Sequence, residues 1–221
     1  MCDRFTLNIP ADVLTKTFDL AEVPEYELRY NIAPNQHIVT IRNSGNKNRS
    51  GLLKWGLTPG EQSENHLSST TACSETVNAD PPFCHAIRYS RCIIPASGFY
   101  KWFSAENNKR PYYIRLANSS LMGFAGLWER WETQDGSECE TCCILTTEAN
   151  ELIRPVNDRM PVIIQPDSYN LWLDSTTYDL HDLQDLFEPY PSDLMVAYPV
   201  PERGEGNGLC RVARGQGCAR R

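Results

Sequence analysis

Arg91-Cys92-Ile93-Ile94-Pro95-Ala96-Ser97-Gly98-Phe99-Tyr100-Lys101-Trp102-Phe103 is the stretch on which the fold turns. Arg91 to Pro95 starts a strand that resumes at Phe99-Tyr100-Lys101-Trp102-Phe103. The polar residues 104–110 read as a hairpin loop, with further strands at 111–116, 121–128 and 142–147. Upstream, Tyr30-Asn31-Ile32-Ala33-Pro34 is a turn-forming lead-in to a strand at Ile38-Val39-Thr40-Ile41. Residues 43–50 are a second polar hairpin loop, and Leu52 to Leu57 is the returning strand, stopped by Pro59-Gly60. Downstream, Met160 to Ile164 and Leu194 to Val200 are strands. Helical signals are short: a weak period over Val13, Leu14 and Phe18, a segment from Pro81 to Tyr89 whose apolar side is Phe83, Ala86 and Ile87, Glu148 to Ile153, and pieces at 167–173 and 179–187. Many strands with a few helices at their edges predict an α+β fold. Its core is a curved, barrel-like, mixed or antiparallel β-sheet with short flanking helices.

At 221 residues and 41% hydrophobic content the chain can bury a proper core. A single domain over 1–201 and a flexible tail over 202–221 are expected. The tail carries Gly204, Gly206, Gly208, Gly215 and Gly217 with Arg203, Arg211, Arg214, Arg220 and Arg221, a composition that cannot bury enough to order itself. No apolar run approaches the roughly 18 residues of a membrane span, and the N-terminus lacks a basic-then-apolar signal pattern. The expectation is a cytoplasmic monomer with no membrane partner. Nine cysteines, an odd number in a chain with no export signal, read mostly as reduced, buried small hydrophobes. Cys139-x-x-Cys142-Cys143 is the only metal-like spacing and has no second pair of ligands, so neither metal nor cofactor is expected. The net charge of −7 argues against broad electrostatic nucleic-acid binding but leaves room for a local basic cleft.

The chemistry points to the first five residues, Met1-Cys2-Asp3-Arg4-Phe5. A small residue after the initiator lets an aminopeptidase remove Met1. Cys2 then carries a free α-amine and a thiol on adjacent carbons. The amine condenses with an aldehyde to an imine, and the thiolate closes a five-membered thiazolidine. Ordinary pKa values of about 7.7–8 for the amine and about 8.5 for the thiol leave part of each nucleophilic near neutrality.

Six blocks stand in order. They are Met1-Cys2-x-Arg4-Phe5; Tyr30 to Pro34; Trp55-Gly56-Leu57-x-Pro59; Ser74-Glu75-Thr76 with Phe83-x-His85-Ala86; Arg91 to Trp102; and Asp158-Arg159-Met160-Pro161-Val162-Ile163. Together they resemble the SRAP family, the SOS-response-associated peptidases that process abasic sites, from residue 1 to about 200. The resemblance implies a protein that binds single-stranded DNA with abasic sites and traps the ring-opened aldehyde on Cys2 as a DNA–protein crosslink. It also implies autocatalytic release of Met1, whence the peptidase label. Arg4 and Arg159 would hold phosphate, with Asn31 nearby, and Trp102 with Pro34 would form an apolar platform for a base.

Departures from the family cluster at the site. The family has Asn-Ala-Arg before Ser-Glu-Thr, where this chain has Thr71-Ala72-Cys73. The family's Asn positions the N-terminal Cys, and Thr71 supplies only a shorter hydroxyl; Cys73 cannot replace the phosphate-gripping Arg. Lys101 stands where the family has its proton-transferring Glu, and Asn157 where it has His, so general acid–base work is lost at both. Glu61-Gln62 replaces a Trp that would wedge against bases. Cys2, Thr71, Lys101 and Asn157 are therefore the candidate catalytic positions. Lys101 reads either as a solvated side chain or, if desolvated, as an amine able to form a Schiff base with the same aldehyde. Two other readings stand beside crosslinking: a relative that binds single strands or a protein without chemistry, and a thiol peptidase acting on other chains.

Overall fold

A computed structural model describes residues 4–45, 47–58, 68–105, 108–132, 135–177 and 179–201. Strands run β1 (Arg4–Leu7), β2 (Arg29–Ile32), β3 (His37–Asn43), β4 (Asn48–Trp55), β5 (Thr71–Cys73), β6 (Arg91–Ala96) and β7 (Gly98–Ala105). They continue as β8 (Asn108–Leu116), β9 (Met122–Glu132), β10 (Glu138–Glu148), β11 (Arg159–Pro161), β12 (Ile163–Ile164) and β13 (Met195–Pro199). The helices are α1 (Ala11–Phe18), α2 (Ala86–Tyr89) and α3 (Tyr169–Leu173), with 3-10 turns at Pro166–Ser168, Leu180–Phe187 and Ser192–Leu194.

Strands β10, β4, β3, β6 and β9 pair in a ring that closes when β9 meets β10, giving a five-stranded barrel with one parallel contact, β10 to β4. Closure removes the exposed edges that an open sheet would present. β5 and β11 extend β10, and β12 extends β9. A second, antiparallel sheet in the order β13-β8-β7-β1-β2 packs against the barrel. Phe5 of β1 meets Trp55 edge-on at 5.2 Å between ring centroids, and Phe99 of β7 meets Phe124 at 5.8 Å. The α+β, barrel-like expectation holds.

The opening stretch is the joint between the two sheets. All six residues of β6 are buried because both faces are covered, the outer one by α3, whose Trp172 Nε1 donates to the Cys92 carbonyl at 2.8 Å. This explains a continuous apolar run instead of alternation. At Ser97 the chain changes sheets: Ser97 N donates to Thr6 O at 2.8 Å, and Ser97 Oγ accepts from Asn8 N at 3.0 Å. Trp55-Gly56 makes the other junction. Trp55 is fully buried and donates from Nε1 to Thr70 O, while Gly56 adopts φ +140°, which an L side chain rarely takes.

Several local expectations are corrected. Tyr30 to Ile32 is not turn but strand, β2, and the turn begins at Pro34, with Asn35 left-handed at φ 66° and its N–H donating to Trp55 O. Both polar loops are shorter than expected: β3 and β4 pair as far as Asn43 and Asn48, and β7 and β8 as far as Ala105 and Asn108. Polar side chains are no obstacle in a ribbon whose backbone ladder bonds continue. Only Ala86–Tyr89 of the Pro81–Tyr89 segment is helix, though Phe83, Ala86 and Ile87 are buried as expected. Glu148 to Ile153 is strand end and turn, not helix: Asn150 Oδ1 accepts the Ile153 N–H, and Pro155 prevents the turn from propagating. Met160 to Ile164 is interrupted at Val162, which bonds across to Leu145 and Ala125.

Of the described cysteines, Cys92, Cys142 and Cys143 are buried, Cys84 and Cys139 half-buried and Cys73 exposed, so burial is less general than expected. Burial pushes the Cys92 thiol up to about 12. Cys139 and Cys142, three apart on β10, point to opposite faces. Among the described residues no helix is long and apolar enough to cross a membrane. Met1, Cys2, Pro59-Gly60, Glu61-Gln62 and the tail 202–221 lie outside the described residues.

Candidate functional site

β7 alternates. Phe99 and Lys101 face the barrel, while Gly98, Tyr100 and Trp102 face the other way. Lys101 is therefore not the solvated side chain that one reading allowed. It is 1% exposed, and its Nζ donates to Asn157 Oδ1 at 3.0 Å across the seam between the two sheets. Asn157, in the connection from β10 to β11, also accepts the Arg159 N–H at 3.1 Å, so one amide oxygen fixes both the lysine and the start of β11. The fold thus joins two candidates that lie 56 residues apart.

Arg159 leads away from this pair along the surface. Its guanidinium makes a two-pronged bond to Glu75, both contacts at 2.8 Å, and also donates to Thr146 Oγ1. The Arg159 hydrogen bonds hold the Glu75 carboxyl below its ordinary 4.5, and Glu75 in turn holds the guanidinium more firmly protonated. Arg159, expected to hold phosphate, is thus already paired with a carboxylate. The partner found is 84 residues away in the Ser74-Glu75-Thr76 block. Pairing between β5 and β10 brings that block up, with Cys73 opposite Thr146. Thr71, at the start of β5, lies half-buried opposite Ile144.

The remaining candidates collect on the far face of the second sheet. Arg4 pairs with Tyr100 across β1 and β7, and Arg4 Nη1 donates to Asn31 Oδ1 at 3.2 Å. Trp102, half-buried, packs against the cluster of Tyr100, Tyr113 and Val200. It is not a full core aromatic, and part of its surface stays open. Pro34 is half-buried in the turn after β2. The candidates thus form two groups, on opposite faces of β7.

A cleft of about 550 Å³ adjoins Glu75 on the other side of β10, lined by Val77, Glu148, Leu180 and Phe187 among others. Sequence reasoning missed it, since it exists only because the 3-10 turn at Leu180–Phe187 packs over the end of β10.

The SRAP family, SOS response associated peptidase (SRAP), matches residues 1–203. The chain belongs to the SRAP family. Abasic site processing protein YoqW of Bacillus subtilis (strain 168) is 41% identical over 206 residues, covering 90% of this chain and 92% of its own. Abasic site processing protein YoaM of the same organism is 40% identical, covering 90% and 91%. In three dimensions, a crystal structure of a protein from Bacteroides thetaiotaomicron superposes with a TM-score of 0.80 at 24% identity, over 90% of this chain and 92% of that one, a likeness of fold. Lys101 and Asn157, which converge here, are positions at which the sequence was expected to depart from the family's pattern.

Proposed function

We propose that this SRAP chain processes abasic sites in single-stranded DNA by trapping their aldehyde on Cys2. The observation that carries the reading is the register of β1. Arg4 pairs with Tyr100, the neighbour of buried Lys101, and two residues of extended chain keep the Cys2 Cα within about 7 Å of that of Arg4. Arg4, two residues after Cys2 in the sequence, is thus on the strand next to the one that carries Lys101 and Trp102. The relatives' names, abasic site processing proteins at about 40% identity along nearly the whole chain, support the same substrate.

After Met1 is removed, the Cys2 α-amine adds to the aldehyde carbon, water leaves, and the thiolate closes the ring by a carbon–sulfur bond. The product shields the lesion from strand cleavage. Aminothiols and aldehydes form thiazolidines without an enzyme, so holding the two together supplies much of the acceleration. Arg4, Asn31 and Arg159 bind the backbone, and Trp102 with Pro34 takes a base. Thr71 and Asn157 act by hydrogen bonding alone, which slows release of the adduct more than its formation. The chain is expected to form a crosslink on denaturing gels with abasic, but not intact, single strands, and Cys2→Ala to form none. Wild type and Cys2→Ala binding both strands equally, without an adduct, would favour a binding role alone.

Glu75 competes with phosphate for Arg159. Glu75→Gln is expected to tighten single-strand binding and to steepen its log–log salt dependence by about 0.7, one phosphate's worth. An unchanged slope in a salt titration would remove Arg159 from the interface. The sign with pH follows from the lowered Glu75 value: the clamp is complete above the ordinary 4.5 and lost only as pH falls through the depressed value. Between pH 5 and 8 it stays charged, and the Glu75→Gln effect is expected to be flat there.

A further inference from the structure

We propose that the cleft of about 550 Å³ beside Glu75 is a docking site for a short segment of a partner protein, one that presents an arginine next to an apolar side chain. Such docking is separate from the chemistry at Cys2. The cleft has the volume of a pocket that takes a few side chains. Its wall is anchored from behind. Leu183 of the 3-10 turn Leu180–Phe187 is fully buried, and the Phe187 ring meets Trp172 edge-on at 6.2 Å between centroids. Asn150, just past the end of β10, donates from Nδ2 to Tyr190 O at 2.7 Å and ties the chain after the turn to that strand. Leu180, Phe187 and Pro189 line the cleft and are only half-buried, so apolar surface is left uncovered on a wall that is already in place.

Charge decides what covers it. Glu148 and Glu188 also line the cleft and are exposed, and neither carboxylate has a hydrogen bond or ion pair among the described residues. Two arginines adjoin the lining, and both are engaged. Arg159 stands opposite Glu148 across β10 and β11 but gives its guanidinium to Glu75 and Thr146, while Arg88 donates to Asn78 Oδ1 at 3.2 Å. Asp182 and Asp185, exposed on the turn, add negative charge. A nucleic-acid strand is repelled here, because its phosphates would meet carboxylates with no cation between them. A basic protein segment meets the opposite field. Glu75, on the same lining, already takes one guanidinium with both oxygens at 2.8 Å, the geometry that favours arginine over lysine. An arginine with an apolar neighbour satisfies both halves of the lining: the guanidinium pairs with Glu148 and Glu188, and the apolar side chain covers Leu180, Phe187 and Pro189.

The test titrates the isotope-labelled full chain with end-blocked tetrapeptides, Gly-Leu-Arg-Gly, its charge-reversed form Gly-Leu-Glu-Gly and its truncated form Gly-Gly-Arg-Gly, and follows amide shifts by NMR. Gly-Leu-Arg-Gly is expected to move the amides of Val77, Leu180 and Phe187 and to saturate below about 10 mM. The other two peptides are expected to bind at least about 5-fold more weakly. The double variant Glu148→Gln/Glu188→Gln changes two exposed side chains and leaves the core intact. It is expected to weaken Gly-Leu-Arg-Gly by about 5-fold as well. No shifts up to that concentration, shifts scattered over the surface, equal binding of the charge-reversed peptide or unchanged affinity in the double variant each overturn the proposal. So does movement of the same three amides by a single-stranded oligonucleotide, which would put the cleft on the path of the nucleic acid.

Discussion

The double variant Lys101→Glu/Asn157→His is expected to release its abasic-site adduct about 10²-fold faster than wild type, or more. Opening a thiazolidine requires the sulfur to leave, water to add to the resulting imine, and the amine to depart, each with a proton moving. In this chain the two side chains at the seam are a lysine and a non-titrating amide 3.0 Å apart. A carboxyl and an imidazole in the same places form a pair that can pass a proton in both directions near neutral pH. Neither single change suffices, because Lys101→Glu alone sets a carboxylate against an amide and Asn157→His alone sets an imidazole against an amine. The measurement is a chase: purified adduct is diluted into excess hydroxylamine, and loss of the crosslinked band is followed over time. Equal rates in wild type and the double variant would mean that proton transfer at these two positions does not limit release.

Gly98→Ala is expected to destabilise the protein by about 3 kcal/mol, the combined order of an overpacking clash and a lost buried hydrogen bond. A Cβ at this position would lie 2.7 Å from Cε2 of Tyr113 and closer still to its hydroxyl. Tyr113 has nowhere to go. The residue is 3% exposed, its ring tilted against Tyr100 at 5.0 Å and edge-on to Tyr198 at 5.7 Å between centroids, and its hydroxyl meets Thr6 Oγ1 at 2.9 Å. Burial also pushes the phenol up to about 12, so it stays neutral over any pH at which the protein is used. Because Gly98 sits where the chain passes from barrel to second sheet, moving it displaces the pairing of β1 with β7 and with it the start of the N-terminus. Urea denaturation reads the cost, and a loss below about 0.5 kcal/mol would contradict the account of the junction.

The barrel was legible because β-branched and aromatic runs with turn residues between them leave few other arrangements. Individual strand ends were not: Asn48 and Asn108 are polar, yet their backbones complete antiparallel ladders, and a ladder's length is set by the partner strand. The Glu148 to Ile153 segment reads as a short helix, which Pro155 and the Asn150 side chain prevent. At the site, the sequence named Lys101 and Asn157 individually, but their pairing depends on β7 and the β10–β11 connection meeting at the seam. Whether Lys101 is buried could not be read from its neighbours, since Trp102 points one way and Phe99 the other. Arg159 was singled out for phosphate while its carboxylate partner lay unassigned in Ser74-Glu75-Thr76. Glu75 reaches it only because β5 joins β10 in parallel, a contact that local pattern does not encode.

Covalent attachment of Cys2 to an abasic site is read directly by intact mass. The purified full chain is weighed before and after incubation with a single-stranded oligonucleotide carrying one abasic site, without borohydride. The expected result is a starting mass that lacks Met1 and a new species heavier by the oligonucleotide less one water, absent from Cys2→Ala. A protein that begins at Cys2 and keeps its mass unchanged in the presence of the abasic strand would contradict it.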